Sequence, residues 1–199
     1  SLEKVVEQVT QEYPVVLVTG PRQVGKTTML KKLMEGSSRG YVSLDDLNDR
    51  ALAKNDPELF LQLHKPPVLI DEVQYAPELF TYIKVYADTH QELGAFWLTG
   101  SQVFKLMRGV QESLAGRVAV LSMTSLSQSE LNGAETEPFR VDLDDLLKRE
   151  RQSKSVDTKG IFERIYQGSM PAIASGKNTN SQIFYSSYLS TYIERDVKE

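Results

Sequence analysis

Short uninterrupted apolar runs alternate with stretches in which apolar positions recur every three or four residues. Val5, Val6 and Val9 predict one face of a short helix. Pro14 then precedes Val15-Val16-Leu17-Val18, a run with the length and β-branched content of a buried strand. After a glycine-bounded loop, Met29, Leu30, Leu33 and Met34 return at helical spacing, and Gly36 supplies a stop. Residues 41–44 (YVSL) read as a second strand ending in Asp45 and Asp46, and one helix of mixed face is expected from Leu47 to His64. Residues 66–74 (PPVLIDEVQ) read as a third strand, followed by a helix with apolar positions Leu79, Phe80, Ile83, Val85 and Tyr86 that Gly94 closes. Residues 95–101 (AFWLTGS) give a fourth strand. A helix through Val103, Phe104, Leu106, Met107, Val110 and Leu114 reaches Gly116, and residues 117–121 (RVAVL) give a fifth strand.

Strands alternating with helices predict an α/β fold, a parallel sheet flanked by helices on both faces. Such sheets bind ligands at the carboxyl ends of their strands. The residues expected there are Gly20 to Thr27, Asp45–Asp46, Asp71–Glu72 and Thr99–Ser101, a set rich in glycine, hydroxyl and acidic side chains.

From about Ser125 the pattern changes. Residues 140–160 are charged and loosely periodic, which suits an exposed helix or a mobile segment with a solvated face. Tyr185, Tyr188, Leu189, Tyr192 and Ile193 lie at i, i+3, i+4, i+7 and i+8 and predict an amphipathic helix whose aromatic stripe packs into a core. The expected organisation is a sheet domain over residues 1–125 and a mostly helical extension over 126–199.

Composition narrows the function classes. A chain of 199 residues fits one domain, or one domain with a small appendage. The formal charge of −4 gives no basic nucleic-acid footprint over the whole chain. The absence of cysteine excludes disulfides and cysteine-based zinc sites and suits a reducing cytoplasm. No apolar run approaches the roughly 20 residues of a membrane helix, and no signal-peptide pattern opens the chain. The start on Ser1 and the stop at RDVKE inside a helical stretch lead us to expect a piece of a longer protein.

Gly20-Pro21-Arg22-Gln23-Val24-Gly25-Lys26-Thr27 matches the phosphate-binding pattern GxxxxGK(S/T) without departure. Gly25 lets the backbone turn its N–H groups inward at phosphate oxygens, and a helix starting at Lys26 aims its positive end at the same anion. Lys26 is expected to reach the β- and γ-phosphates, and the Thr27 hydroxyl to ligate magnesium. A chance match in a chain this long is on the order of one in a hundred, and this one lies between a predicted strand and a predicted helix.

Other strand-end residues admit two readings each. Asp71 and Glu72 mark a charged exit from a buried strand; with the phosphate loop upstream, Asp71 suits magnesium held through water and Glu72 suits polarising an attacking water. Thr99, Ser101 and Gln102 suit orienting that water, and Ser101 equally suits a helix N-cap. Arg117 suits neutralising transition-state charge at a neighbouring subunit's nucleotide, but composition alone favours a surface arginine or an ion pair. Asp45 and Asp46 are explained by a magnesium shell or by a turn and a helix cap. His64 and His90 have no partner at ligand spacing and read as surface or hydrogen-bonded histidines.

With these residues in hand, nearly all of residues 10 to 197 resembles the prokaryotic AAA+ ATPases of the P-loop NTPase superfamily, whose members usually carry a nuclease-like domain after the ATPase. The matching stretches, in the family's order, are GPRQVGKTTML, YVSLDD, LIDEVQYAPELF, IKVYAD, WLTGSQ, ESLAGRVAVL, LSQSEL, QGSMPA and TYIERDV. The resemblance implies that Gly20 to Thr28 form the nucleotide loop, that Asp71 and Glu72 are the Walker-B pair, that Ser101 is the polar sensor of the fourth strand, and that Arg117 stands where related ATPases place an arginine finger. Residues 167–172 resemble a Gly-Gly-Tyr-Pro lid turn, with Ser169 and Met170 departing from it. It further implies ATP and Mg2+ as ligands, and hydrolysis coupled to conformational change in a longer protein. Possible partners are a C-terminal domain, a protein partner or a second copy of the chain. Two other functions stay open: a nucleotide-controlled switch that turns over negligibly, and a DNA-associated ATPase.

Overall fold

The computed structural model describes residues 2–101, 103–134, 140–152, 157–177 and 179–196. The uninterrupted apolar runs become strands because a segment covered on both faces needs no polar side. They are β1 (Val15–Thr19), β2 (Gly40–Ser43), β3 (Val68–Asp71), β4 (Phe96–Gly100) and β5 (Val118–Ser122), all parallel, in the order β2-β3-β4-β1-β5. Every residue of β1, β3 and β4 is buried. The register sets Val15 opposite both Phe96 and Val118, so Thr19 ends level with Gly100 and Ser122.

Helices α1 (Leu2–Thr10), α2 (Lys26–Leu33), α3 (Leu47–Asn55), α4 (Pro57–Leu63), α5 (Leu79–His90) and α6 (Val103–Ser113) accompany the sheet. Alternate strand residues feed two cores. Val15, Leu17, Ile70, Phe96 and Leu98 pack with Phe60, Phe80, Ile83, Leu106 and Val110 from α4, α5 and α6. Val16, Val18, Leu69 and Trp97 pack with Val6, Met29 and Leu30 from α1 and α2. This is the expected sheet with helices on both faces, and it brings the carboxyl ends of β1, β3 and β4 side by side.

Two local expectations are corrected, and one open alternative is decided. The single helix expected over 47–64 breaks at Asp56. Pro57 has no N–H to continue α3, and Asp56 accepts from the Leu59 N–H at 3.0 Å to start α4 afresh. The third strand ends at Asp71 rather than 74, because Glu72 turns to φ 56° and Val73–Tyr75 form a single 3-10 turn. Asp46 caps α3, accepting from the N–H groups of Asn48 at 2.8 Å and Asp49 at 3.1 Å. Asp46→Ala is expected to cost about 1 kcal/mol and to lower the melting temperature by about 2–4 °C in a circular dichroism melt.

The described residues divide into two compact units, Leu2–Thr124 and the segment from Ser125 onward. The second holds α7 (Gln128–Leu131), α8 (Leu143–Gln152), α9 (Thr158–Gln167), α10 (Pro171–Ala174) and α11 (Ser181–Asp196). The described part of the charged stretch holds α8 and the start of α9, with Arg149 bound to Asp145 one turn earlier at 2.7 Å. Arg164 ties α9 to α7 through Gln128 Oε1 at 2.6 Å and Asn132 Oδ1 at 3.1 Å. The turn at Gly168 takes φ 69°, and the Ser169 carbonyl accepts from the Leu126 N–H at 3.0 Å. The terminal aromatic stripe does not enter a core. Its rings stack along α11, Tyr188 on Tyr192 at 5.3 Å, and Leu189 is exposed. The Ile193 side chain and residues 197–199 lie outside the described residues.

Candidate nucleotide site

The loop from β1 to α2 is shaped by close backbone approach. Gly20 takes φ 146°, and a Cβ there would lie 2.0 Å from the Met123 carbonyl oxygen, so a side chain has no room. Gln23 (φ 62°) and Gly25 (φ 101°) are left-handed, which turns successive N–H groups to one side. Among the described residues, the backbone N–H groups of residues 23–28 find no backbone acceptor. A row of unpaired donors at a helix start fits an anion. Val24 is buried and anchors the loop, while Pro21, Gln23 and Thr28 are exposed and Arg22 is half-buried.

Lys26 is buried in this loop, and its Nζ donates to the carbonyls of Gly20 at 3.0 Å and Pro21 at 2.8 Å. Burial pushes its pKa down, and the charges of Glu72 and Asp71 oppose that shift. The Thr27 hydroxyl donates to Asp71 Oδ1 at 2.7 Å. Thr99 donates to the same oxygen, and the Tyr41 phenol donates to Oδ2 at 3.2 Å. Thr27 and Asp71 therefore present adjacent oxygens, the ligand type a hard divalent cation takes.

Glu72 leaves the strand in the left-handed region, held there as its N–H donates to Thr99 Oγ1 at 3.1 Å. Its Oε2 accepts from Ser101 Oγ at 3.2 Å and from Gln74 Nε2. Both Thr99 and Ser101 are fully buried. The fold thus joins the loop, Asp71, Glu72, Thr99 and Ser101 into one connected cluster. Gln102 lies outside the described residues.

Arg117 stands apart from that cluster in its own chain. Its carbonyl accepts from the Val15 N–H at 3.2 Å, which places it at the amino end of β1, opposite the loop. Its guanidinium pairs with Asp88 through Nε to Oδ1 and Nη2 to Oδ2 at 3.0 Å, and Nη1 donates to the Ala115 carbonyl at 2.9 Å. Asp45 lies 3.7 Å from Arg50 and Asp46 caps α3, so neither joins the cluster. His64 lies 3.4 Å from Asp49 and against the Phe60 ring, and His90 stacks on Tyr86.

Two cluster members escaped the sequence reading. Gln74 was absorbed into the expected third strand, and Tyr41 counted only as a strand residue. An amide two places beyond an acid pair at a strand end is a usable signal for the first. Tyr41 gave none, because its contact depends on β2 lying beside β3.

The family described as AAA domain matches residues 12–132. Uncharacterised proteins of Mycobacterium bovis and Mycobacterium tuberculosis are each 30% identical over 187 residues, covering 94% of this chain and 36% of theirs. The chain thus spans about a third of the length of these curated relatives. Among solved structures, the Walker-type ATPase of Pyrococcus abyssi aligns with a TM-score of 0.56 at 16% identity, over 95% of this chain and 70% of its own. AMPPCP-bound DnaA from Aquifex aeolicus aligns at 0.51 and 14% identity, over 88% of this chain and 57% of its own. Both likenesses are of fold. No helix among the described residues is long and apolar enough to cross a membrane. With its unbroken phosphate-loop pattern and more than half its length matched, the chain belongs to the AAA family of P-loop ATPase domains.

Proposed function

We propose that this protein binds ATP with Mg2+ and hydrolyses it, and that the cycle drives a conformational change in a longer protein. The observation that carries the reading is Glu72, a carboxylate fixed beside Asp71 by Ser101 and Gln74 and hydrogen-bonded through its backbone to Thr99. A domain that only sensed nucleotide has no use for a second, separately oriented acid. The AMPPCP in the DnaA neighbour suits an adenine nucleotide.

In this mechanism the N–H groups of the loop Gly20 to Thr28, which includes Arg22, Gln23 and Val24, hold the phosphates, and Lys26 exchanges its two carbonyl partners for β- and γ-phosphate oxygens. Thr27 and, through water, Asp71 would hold Mg2+, which would supply charge neutralisation at the phosphates. Glu72 takes the proton of the attacking water, and Ser101 keeps the carboxylate in place. The work is positioning and electrostatics.

Arg117 completes the site from a second copy of the chain. Its side chain is 32% exposed, and its fork on Asp88 lies at the surface, where a phosphate of higher charge can replace the carboxylate. The sheet domain is residues 1–125 and the helical extension 126–199. A C-terminal nuclease-like domain and a cytoplasmic location complete the proposal for the longer protein; association with DNA is an alternative reading that the charge of −4 does not favour. The test is a steady-state ATPase assay across protein concentration, with and without Mg2+. Specific activity is expected to rise with concentration, and Arg117→Ala to lower the plateau about 1,000-fold or more. A flat profile, unaltered by the substitution, counts against the shared site. Should DNA leave both turnover and electrophoretic mobility unchanged, the DNA association is dropped.

A further inference from the structure

Gln74 sits on the 3-10 turn two residues past Glu72, only 9% exposed. Its Nε2 donates to Glu72 Oε2 and lies 3.5 Å from Ser101 Oγ. Its Oε1 is buried and has no hydrogen-bond partner among the described residues. A buried amide oxygen without a donor is a rare and costly arrangement. Turning the amide over would not relieve it, because the oxygen would then face the Glu72 carboxylate. Glu72 therefore decides which way the amide points.

Packing alone does not account for an amide here. Gly100 leaves the space the side chain occupies: a Cβ at that position would fall 2.9 Å from Gln74 Oε1 and 2.6 Å from Leu106 Cδ2. A leucine of similar shape would fill the same space beside Gly100 and Leu106 with no oxygen left unpaired. What leucine lacks is the donor on Glu72.

We propose that Gln74 is a positioning residue for Glu72. With Ser101 it occupies Oε2 of that carboxylate, so that Oε1 is the oxygen that takes the proton from the attacking water. When the proton arrives on Oε1, the Gln74 N–H stays on nitrogen and still donates to Oε2, so the amide serves both protonation states. Gln74 touches neither nucleotide nor water and acts only through Glu72. The proposal rests on the reading of Glu72 as the base.

The test is single-turnover hydrolysis of ATP with the protein in excess, across pH, alongside ATP affinity measured by calorimetry. Gln74→Leu is expected to lower the rate constant about tenfold or more while leaving the ATP Kd within about twofold. In a Glu72→Gln background the same change is expected to cost nothing further, because its effect passes through Glu72. Gln74→Met keeps the length of the side chain without the donor and is expected to lower the rate constant to the same extent, again with the ATP Kd within about twofold. A merely structural glutamine would lower the rate of the Glu72→Gln protein by the same factor as that of the wild type.

A folded Gln74→Leu or Gln74→Met protein with a rate within about twofold of wild type overturns the proposal, as does an equal loss in the Glu72→Gln background. Gln74→Met decides alone if the leucine variant does not fold. If Glu72→Gln abolishes turnover and neither Gln74 variant has an effect, only this inference falls. If Glu72→Gln turns over normally, or the wild type does not turn over at all, the reading of Glu72 falls and takes the inference with it.

Discussion

Glu72→Gln is expected to lower ATP turnover about 100-fold or more while leaving ATP affinity within about threefold. The amide has the size of the carboxylate and keeps an oxygen that accepts from Ser101 and Gln74, so the cluster stays assembled. The backbone is untouched, and the N–H of residue 72 still donates to Thr99 Oγ1. What disappears is the capacity to take a proton at neutral pH. Loss of turnover with retained binding separates hydrolysis from a switch that only responds to occupancy, since the output of such a switch is indifferent to the change. The measurements are phosphate release at saturating ATP and calorimetric titration. Turnover above about a tenth of wild type would remove Glu72 from the base role.

Lys26→Met is expected to weaken ATP binding about 100-fold or more, about 2.7 kcal/mol at two factors of ten. The methionine retains most of the buried stem and its packing, so the loss reports the ammonium. In the free protein that ammonium is satisfied by the Gly20 and Pro21 carbonyls, at 3.0 and 2.8 Å, inside a loop where, among the described residues, the N–H groups of residues 23–28 have no backbone acceptor. Exchanging neutral carbonyls for charged phosphate oxygens is the gain the substitution removes. A Kd within about threefold of wild type would refute the assignment.

The same residue gives a pH signature. Burial lowers the Lys26 pKa from its ordinary 10.5, so between the lowered value and 10.5 the unfolded chain holds more protons than the folded one. Stability therefore gains a rising contribution with pH across that alkaline window, and Lys26→Met loses it. Urea unfolding of both proteins at several alkaline pH values measures the difference.

Much of this protein was legible as a string. The five strands follow from local runs such as Val15–Val18 and Val68–Ile70, because covering both faces of a strand demands unbroken apolar character. The phosphate loop was legible because its chemistry is carried by the backbone of eight consecutive residues, Gly20 to Thr27. The break at Asp56–Pro57 was also written there, in a residue that caps followed by one that cannot continue a helix. The aromatic stripe of α11 misled because its period is the same whether the rings face a core or one another.

By itself, then, the sequence determined the elements, the anion-binding loop and the acids at the strand ends, all of which depend on neighbours in the chain. The tertiary structure alone decided which of those ends meet. Placing β4 between β3 and β1 brings Thr99 to Asp71 and Ser101 to Glu72, 28 and 29 residues apart in sequence. It also put Gln74 under the Glu72 carboxylate, Tyr41 on Asp71, and Arg117 at the far end of the sheet beside Asp88. Strand order is set by burying both sheet faces beneath crossover helices, a requirement of the whole chain that no local periodicity encodes.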